Sequence, residues 1–159
     1  MQVKHIRMGA LVFLAVVALL LVTATSVNAK TVTFTQTFHH ITQTFPANNP
    51  CTGVTGTVTL TFNGVVHVTM DSTTGTGHMT ETMTGDFVFV PDDPTQPTFT
   101  GHFTSWDGEN QNIQNFTATA IFNLHGTGSD GSRLQGHFLT HISVSATGIT
   151  IRFDKMTCH

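Results

Sequence analysis

Charged residues are scarce in this chain, and cations are the scarcest. Lys and Arg together number six against nine Asp and Glu, and from Lys30 onward the balance is four against nine. Partners with a phosphate backbone or an anionic lipid surface select for clusters of Lys and Arg, because those cations supply the attraction. The composition therefore predicts a partner that is neither nucleic acid nor an anionic membrane.

Long hydrophobic runs are also lacking, with one exception near the start. Ala10 to Val22 is uncharged and apolar, Lys4 and Arg7 precede it, and a small polar stretch ends at Ala29. This order is typical of a secretory signal peptide. At about 13 residues the run is shorter than the roughly 20 that a membrane-spanning helix needs. We expect residues 1–29 to be removed and the protein to be secreted, extracellular and without a stable membrane anchor.

Residues 30–159 remain after such a cleavage, which is the length of one domain with its own core. Tyrosine is absent and Thr is the commonest residue of this segment. Threonine favours strands because its branched Cβ suits a pleated surface. We expect a single β-domain that exists as a monomer or a small oligomer.

Cysteine occurs only twice, at Cys51 and Cys158. In an oxidising compartment an isolated pair is more often a disulfide than two free thiols or half of a metal site. The sequence therefore predicts a Cys51–Cys158 bridge from an early loop to the last residues.

Alternation of apolar and polar residues recurs along the chain between Gly-, Pro-, Asn- and Asp-rich breaks, and this pattern is typical of strands. It predicts an all-β, antiparallel domain of about eight strands, a closed meander barrel or alternatively a β-sandwich. The expected strands are 31–41, 56–62, 65–71, 77–90, 98–106, 116–125, 133–146 and 149–156.

The C-terminal strands allow a more detailed prediction. Pairing outward from their two Gly-containing turns puts Leu124 opposite Leu134 and Ile151 opposite Val144, so that one apolar face is continuous.

A further turn is expected at Asn63-Gly64. A two-residue hairpin there places His67 beside Leu60 on the face that carries Phe62. A three-residue loop with a bulge aligns Val66 with that face instead and turns His67 outward. The sequence leaves both registers open.

Several segments resemble a family of small secreted proteins of actinobacteria and related soil bacteria. The resemblance is carried by residues 50–53, 62–69, 91–103, 123–132 and 153–158, which read PCTG, FNGVVHVT, PDDPTQPTFTGHF, NLHGTGSDGS and FDKMTC. It implies export and a β-rich fold, and it implies no particular chemistry. The strand count is also similar to that of dirigent, allene-oxide-cyclase and lipocalin barrels, at the level of fold alone.

Glu81 is the strongest single candidate for a catalytic residue. Period two places it on the face of Met79, Met83 and Phe87, where an apolar cavity would raise its pKa toward values suited to acid–base work. The favoured interpretation is nevertheless a bulge near Gly85 that shifts the parity and leaves Glu81 in water.

A long polar loop is predicted at residues 107–115, just after the only tryptophan. Loops on a rigid sheet often carry binding residues, and an aromatic ring beside amides suits a sugar or another polar ligand. Trp106, Asp107, Glu109 and Asn110 are the candidate ligand-binding residues.

Histidines are numerous, and His102, His137 and His141 are the candidate metal ligands. No His-x-His pair offers two ligands from one strand face, and the favoured interpretation is that these side chains face outward. The predicted register places His137 opposite Ile121 and His141 opposite Asp154.

Three functions follow as hypotheses. The first is a non-enzymatic secreted domain that binds a small molecule, glycan or protein partner. The second is a barrel enzyme of isomerase or lyase type that uses Glu81 or a histidine as its acid–base group. The third is an extracellular metal-binding protein. No cofactor is predicted.

Overall fold

The protein folds into strands joined by short turns, as a computed structural model of residues 31–158 describes it. The prediction of an all-β, antiparallel domain is confirmed. The seven strands are β1 (Thr31–Asn48), β2 (Thr55–Asp71), β3 (Thr76–Pro91), β4 (Phe99–Gln111), β5 (Asn115–Gly128), β6 (Arg133–Ser145) and β7 (Gly148–Cys158).

All seven strands belong to one sheet, in which each strand pairs with the next along the chain. This meander order was expected, since hairpins with short loops pair sequential strands. The predicted closure into a barrel is not observed, because β1 and β7 do not pair with each other in the described part of the chain. The alternative β-sandwich needs two sheets, and residues 31–158 form one.

Asn63-Gly64 lies inside β2, so both hairpins predicted there are wrong and the expected strands 56–62 and 65–71 are one. Asn63 lies opposite a bulge in β1, where the register shifts between Phe38 and Ile41. Its side-chain Oδ1 accepts a hydrogen bond from the His40 N–H at 2.9 Å, and His40 has a φ of 53°. The Asn side chain therefore stabilises a bulge in the neighbouring strand instead of a turn in its own.

The register predicted between β5 and β6 is wrong by two residues. Leu124 pairs with Gly136 instead of Leu134, because the turn closes tightly through a hydrogen bond from the Gly128 N–H to the Ser132 carbonyl at 2.8 Å. A two-residue slip keeps every side chain on its predicted face. The apolar face of these two strands survives the error for that reason.

The register predicted between β6 and β7 is also wrong, and here the error changes the parity. Val144 pairs with Ile149, and an irregularity follows that places Ile151 opposite Ser143. The turn contains residues 146–147, and Gly148 with a φ of 121° begins β7. The continuous apolar face predicted for β7 is therefore interrupted by this bulge.

Aromatic residues dominate the core, which lies on one face of the sheet. Phe103 is the most deeply buried side chain at 2% exposure. Its ring stacks on Phe122 with 5.6 Å between centroids, and meets the edge of Phe62 at 6.3 Å. The buried cluster consists of Phe62, Phe87, Phe89, Phe99, Phe103, Leu124 and Leu134. We call the face that carries this cluster the inner face.

Gly85 shows how closely the strands approach at this core. A Cβ there would lie 2.6 Å from the Phe62 Cα and 2.1 Å from the Thr61 carbonyl oxygen. Glycine in a strand often marks such a close backbone approach. The bulge predicted near Gly85 is absent, because β3 pairs with both neighbours in an unbroken register.

The predicted disulfide is present, and it joins the β1–β2 loop to the end of β7. The Cα atoms of Cys51 and Cys158 are 5.6 Å apart. In a flat sheet with strands about 4.8 Å apart, β1 and β7 would be separated by roughly 29 Å. The bridge therefore requires the sheet to curl until its two edges approach each other at this end.

The loop that carries Cys51 is organised by a buried asparagine. Asn49 is 2% exposed, and its Oδ1 accepts hydrogen bonds from the N–H groups of Cys51 at 2.9 Å and Thr52 at 3.2 Å. Its own N–H donates to the Val54 carbonyl at 2.7 Å. This fixed loop holds Cys51 in position for its partner.

The predicted signal peptide, residues 1–29, lies outside the described residues, so its cleavage stays a prediction. Within residues 31–158 there is no helix with the length and hydropathy that crossing a membrane requires.

Removal of the disulfide tests how much the curled sheet depends on it. We expect the Cys51→Ser, Cys158→Ser double variant to lose about 4 to 5 kcal/mol of unfolding free energy, because the unfolded chain regains the freedom of a long loop. Urea unfolding of the variant and of the wild type, each with and without dithiothreitol, measures this difference. A loss below about 1 kcal/mol would contradict the role given to the bridge.

Candidate functional site

Glu81 lies on the inner face of β3, half-buried. Phe87 and Phe89 have the same parity and are core residues, and Met83 packs against that core. The favoured interpretation of Glu81 as a water-exposed residue is therefore wrong, because β3 has no bulge that would move Glu81 to the outer face. Its carboxylate belongs to the same surface as the aromatic core.

Two more carboxylates reach the same face from the neighbouring strand. The predicted loop at 107–115 is mostly strand, since β4 runs on to Gln111. Asp107 is paired with Glu81, and Glu109 is paired with Met79. We call Glu81, Asp107 and Glu109 the acidic cluster.

Small and apolar residues flank the acidic cluster on both sides. On β2, Val66 is the partner of Glu81 and is buried. On β5, Ala120 is the partner of Asp107 and Ala118 that of Glu109. Such neighbours exclude water without offering hydrogen bonds, so they disfavour the charged form of the carboxyl groups.

The pKa values of all three groups respond to this environment. Burial raises the pKa of Glu81 to about 7, and the charges of Asp107 and Glu109 add to the effect. Burial and the Glu109 charge raise the pKa of Asp107 to about 6. Burial also raises the pKa of Glu109. Glu81 and Asp107 consequently take up or release protons close to neutral pH.

Two polar atoms, one in the cluster and one beside it, lack any hydrogen-bond partner in the described part of the chain. They are the Oγ of Ser105 and the Oδ2 of Asp107, both fully buried atoms. Ser105 is 8% exposed as a residue and shares the inner face of β4 with Asp107 and Glu109. Buried polar atoms are satisfied in the great majority of cases, and an exception indicates a functional position or a bound molecule.

A groove of about 470 Å³ lies at the end of the sheet opposite the disulfide, and most of the strand residues that line it, such as His78 and Asn110, have outer-face positions. Gly77 and Gln111 contribute to its wall, and these two residues form the pair that follows Met79 and Glu109 along the strands. The groove is therefore close to the cluster along the strands but opens mainly on the opposite face of the sheet.

The four predicted ligand-binding residues do not converge, because strand alternation separates them. Asp107 and Glu109 lie on the inner face, whereas Trp106 and Asn110 lie on the outer one. The Trp106 ring lies over Gly108 on its own strand, since a Cβ at Gly108 would lie 2.6 Å from the indole Cη2. The Asn110 Oδ1 lies 2.7 Å from the His78 Nδ1, which is hydrogen-bond distance.

The candidate metal-binding histidines lie on the outer face, each beside a polar partner on the next strand. His102 forms an ion pair with Asp86, His137 contacts the Asn123 Oδ1, and the His141 Nδ1 is 2.7 Å from the Thr119 Oγ1.

The outward orientation predicted for these histidines is confirmed, whereas their predicted cross-strand partners are wrong. His137 lies opposite Asn123 instead of Ile121, and His141 lies opposite Phe153 on β7 instead of Asp154. The two-residue register error described above accounts for the first difference. In residues 31–158, no group of three or more His, Cys, Asp or Glu is arranged to hold a metal ion.

The acidic cluster itself was not predicted, although part of its signal was visible. Asp107 and Glu109 are two residues apart, which is the strand period, but the Gly, Asn and Gln residues around them favour a loop. Only the register between β3 and β4 brings them to Glu81.

Comparison with protein-family models, with curated proteins and with solved structures finds no match to this chain. The resemblance to small secreted actinobacterial proteins therefore stays a prediction.

The raised pKa of Glu81 predicts how stability depends on pH. The folded protein holds a proton on Glu81 up to about pH 7, whereas an unfolded Glu releases it near pH 4.5. Stability therefore falls as pH rises through this window. We expect Glu81→Gln to raise the unfolding free energy by about 1 to 2 kcal/mol at pH 8, a value already reduced for solvent screening of a half-exposed group.

Urea unfolding at pH 5 and pH 8 measures this effect, which should nearly vanish at pH 5. Asp92→Asn is the matched control, because Asp92 is an exposed carboxylate in a loop at the disulfide end. An equal gain at both pH values would contradict the assignment.

Proposed function

We propose that this chain is a ligand-binding β-domain, and that it holds a small molecule on the inner face at the acidic cluster. The single observation that carries the proposal is the unpartnered Ser105 Oγ and Asp107 Oδ2, buried beside two more carboxylates. Leaving such atoms unsatisfied costs about 1 to 3 kcal/mol each, unless a ligand supplies the missing hydrogen bonds. A molecule that donates to them and covers the neighbouring apolar side chains removes this cost.

The partial exposure of Glu81, Asp107 and Glu109 supports the same proposal. A binding face needs access from solvent together with rigid walls, and binding sites commonly combine apolar walls with a few convergent polar groups. Val66 and Ala120 supply the apolar walls, and the acidic cluster supplies the polar groups. Because β1 and β7 do not pair, access does not require the sheet to open.

A second candidate function is acid–base catalysis of the isomerase or lyase type, with Glu81 as the acid–base group. The pKa of about 7 favours it, since a general base works best when its pKa is near the working pH. The two functions differ in one outcome. If the protein is an enzyme, the wild type converts a bound substrate and Glu81→Gln abolishes this turnover. If the protein is a carrier, the wild type releases the bound molecule unchanged.

Extracellular action also belongs to the proposal. The disulfide is compatible with an oxidising compartment, and the residues expected to direct export lie outside the described part of the chain. Metal binding by His102, His137 and His141 has less support, since each already has a polar neighbour on the outer face.

A fragment screen by NMR tests the proposal directly. We expect at least one neutral or cationic fragment to shift the backbone amide signals of residues 79–83 and 105–109 in the ¹⁵N-labelled, disulfide-bonded protein. Ser105→Ala should weaken that response, because it removes the hydroxyl group without adding volume at a buried position, whereas the matched control Asp92→Asn should not. Shifts confined to the disulfide end around Leu134, or no shifts at all, would contradict a ligand site at the cluster.

A further inference from the structure

The charge balance of the acidic cluster narrows the class of ligand, given that the proposed function is correct. Above pH 7 three carboxylates, on Glu81, Asp107 and Glu109, share one half-buried surface, and their mutual repulsion contributes to the raised pKa values. The contact between the His102 ring and the Asp86 carboxylate lies on the outer face and contains none of the three. A ligand that brings a positive charge relieves this repulsion.

We propose that the acidic cluster binds the ammonium group of a small organic amine, and that the apolar part of the amine packs on the neighbouring Val66, Met79 and Ala120. An ammonium group has three N–H donors and no acceptor. The inner face offers it the carboxylate acceptors of the cluster, and the unpartnered Ser105 Oγ, which can accept as well as donate, lies on the same face. The hydrogen-bonding needs of the two sides are complementary.

A metal ion suits the same residues less well than an amine does. Calcium takes six to eight oxygen ligands and magnesium needs a near-ideal octahedron. The cluster is flanked by valine and alanine, and in residues 31–158 no set of three or more His, Cys, Asp or Glu residues is arranged to hold a metal ion. An alkyl or aryl ammonium ion, in contrast, uses both the carboxylates and the apolar flanks.

Binding of an ammonium ion also displaces a proton, because the ion favours the charged form of Glu81. From the two strands packed against β3, the ionisable groups that face Glu81 are Asp107 and Glu109 on β4, and β2 presents none on its inner face. Farther along, Asp154 on β7 lies in the same line of paired residues across the sheet as Glu81. Affinity for the amine should therefore fall as pH drops below 7.

Isothermal titration calorimetry with 2-phenylethylamine and its uncharged analogue 2-phenylethanol tests this inference. At pH 8 we expect the amine to bind at least about tenfold more tightly than the alcohol, since a charge-assisted hydrogen bond is roughly twice as strong as a neutral one. At pH 5.5 the affinity of the amine should drop by about tenfold, as Glu81 is then protonated. Titrations in buffers of different ionisation enthalpy should show proton release at pH 7.

Variants connect the binding to the cluster. Asp107→Asn and, independently, Glu109→Gln should each weaken the amine at pH 8, while Asp92→Asn should not, and urea unfolding shows whether each variant is folded. Equal binding of amine and alcohol would overturn the ammonium inference and leave the proposed function standing. Binding of neither compound would overturn the ammonium inference, while the fragment screen decides the proposed function independently. Stoichiometric binding of Ca²⁺ in their place would overturn the choice of an amine over a metal.

Discussion

The curl of the single sheet onto its own inner face is the constraint on which the rest of the structure depends. A sheet has one apolar face to bury, and this one has no helix or second sheet in the described residues to cover it. The only remaining cover is the sheet itself. Phenylalanines from β2, β3, β4 and β5 meet across the curl, and the Cys51–Cys158 bridge holds the first loop against the last strand.

The same curl gives the two ends of the inner face different chemistry. Toward the disulfide, Phe103 and its aromatic neighbours fill the space. Toward the other end the side chains become smaller, and the carboxylates of Glu81 and Asp107 replace the aromatic rings. Burying such groups costs stability unless they are paired or protonated. A domain that keeps them there sacrifices stability at one end, which is common at binding and catalytic positions.

Much of the fold was predictable because strand alternation is a local signal. The all-β class, the inner face and the disulfide follow from residue types and spacing. Register was harder to predict, because it depends on the number of residues in each turn. That number is set by hydrogen bonds such as the one between Gly128 and Ser132, which residue types and spacing do not reveal. Asn63 illustrates this limit, because Asn-Gly is typical of a turn whereas the Asn63 side chain here accepts a hydrogen bond from the bulge in β1.

The candidate site depended on the least predictable quantity, the pairing of β3 with β4. Asp107 and Glu109 resemble loop residues when read alone, and Glu81 resembles a solvated residue if a bulge is assumed at Gly85. Only the regular register places them together. Trp106, which looked like part of the same site, lies on the outer face because neighbouring residues of a strand point in opposite directions.

The central claim is that Glu81 shares a half-buried surface with two other carboxylates. The most direct measurement is an NMR titration of the Glu81 side-chain carboxyl carbon between pH 3 and pH 9. A pKa near 7, shifted downward in Asp107→Asn, is the result that this account predicts. A pKa near the ordinary value of 4.5 for glutamate, unchanged in that variant, would contradict it.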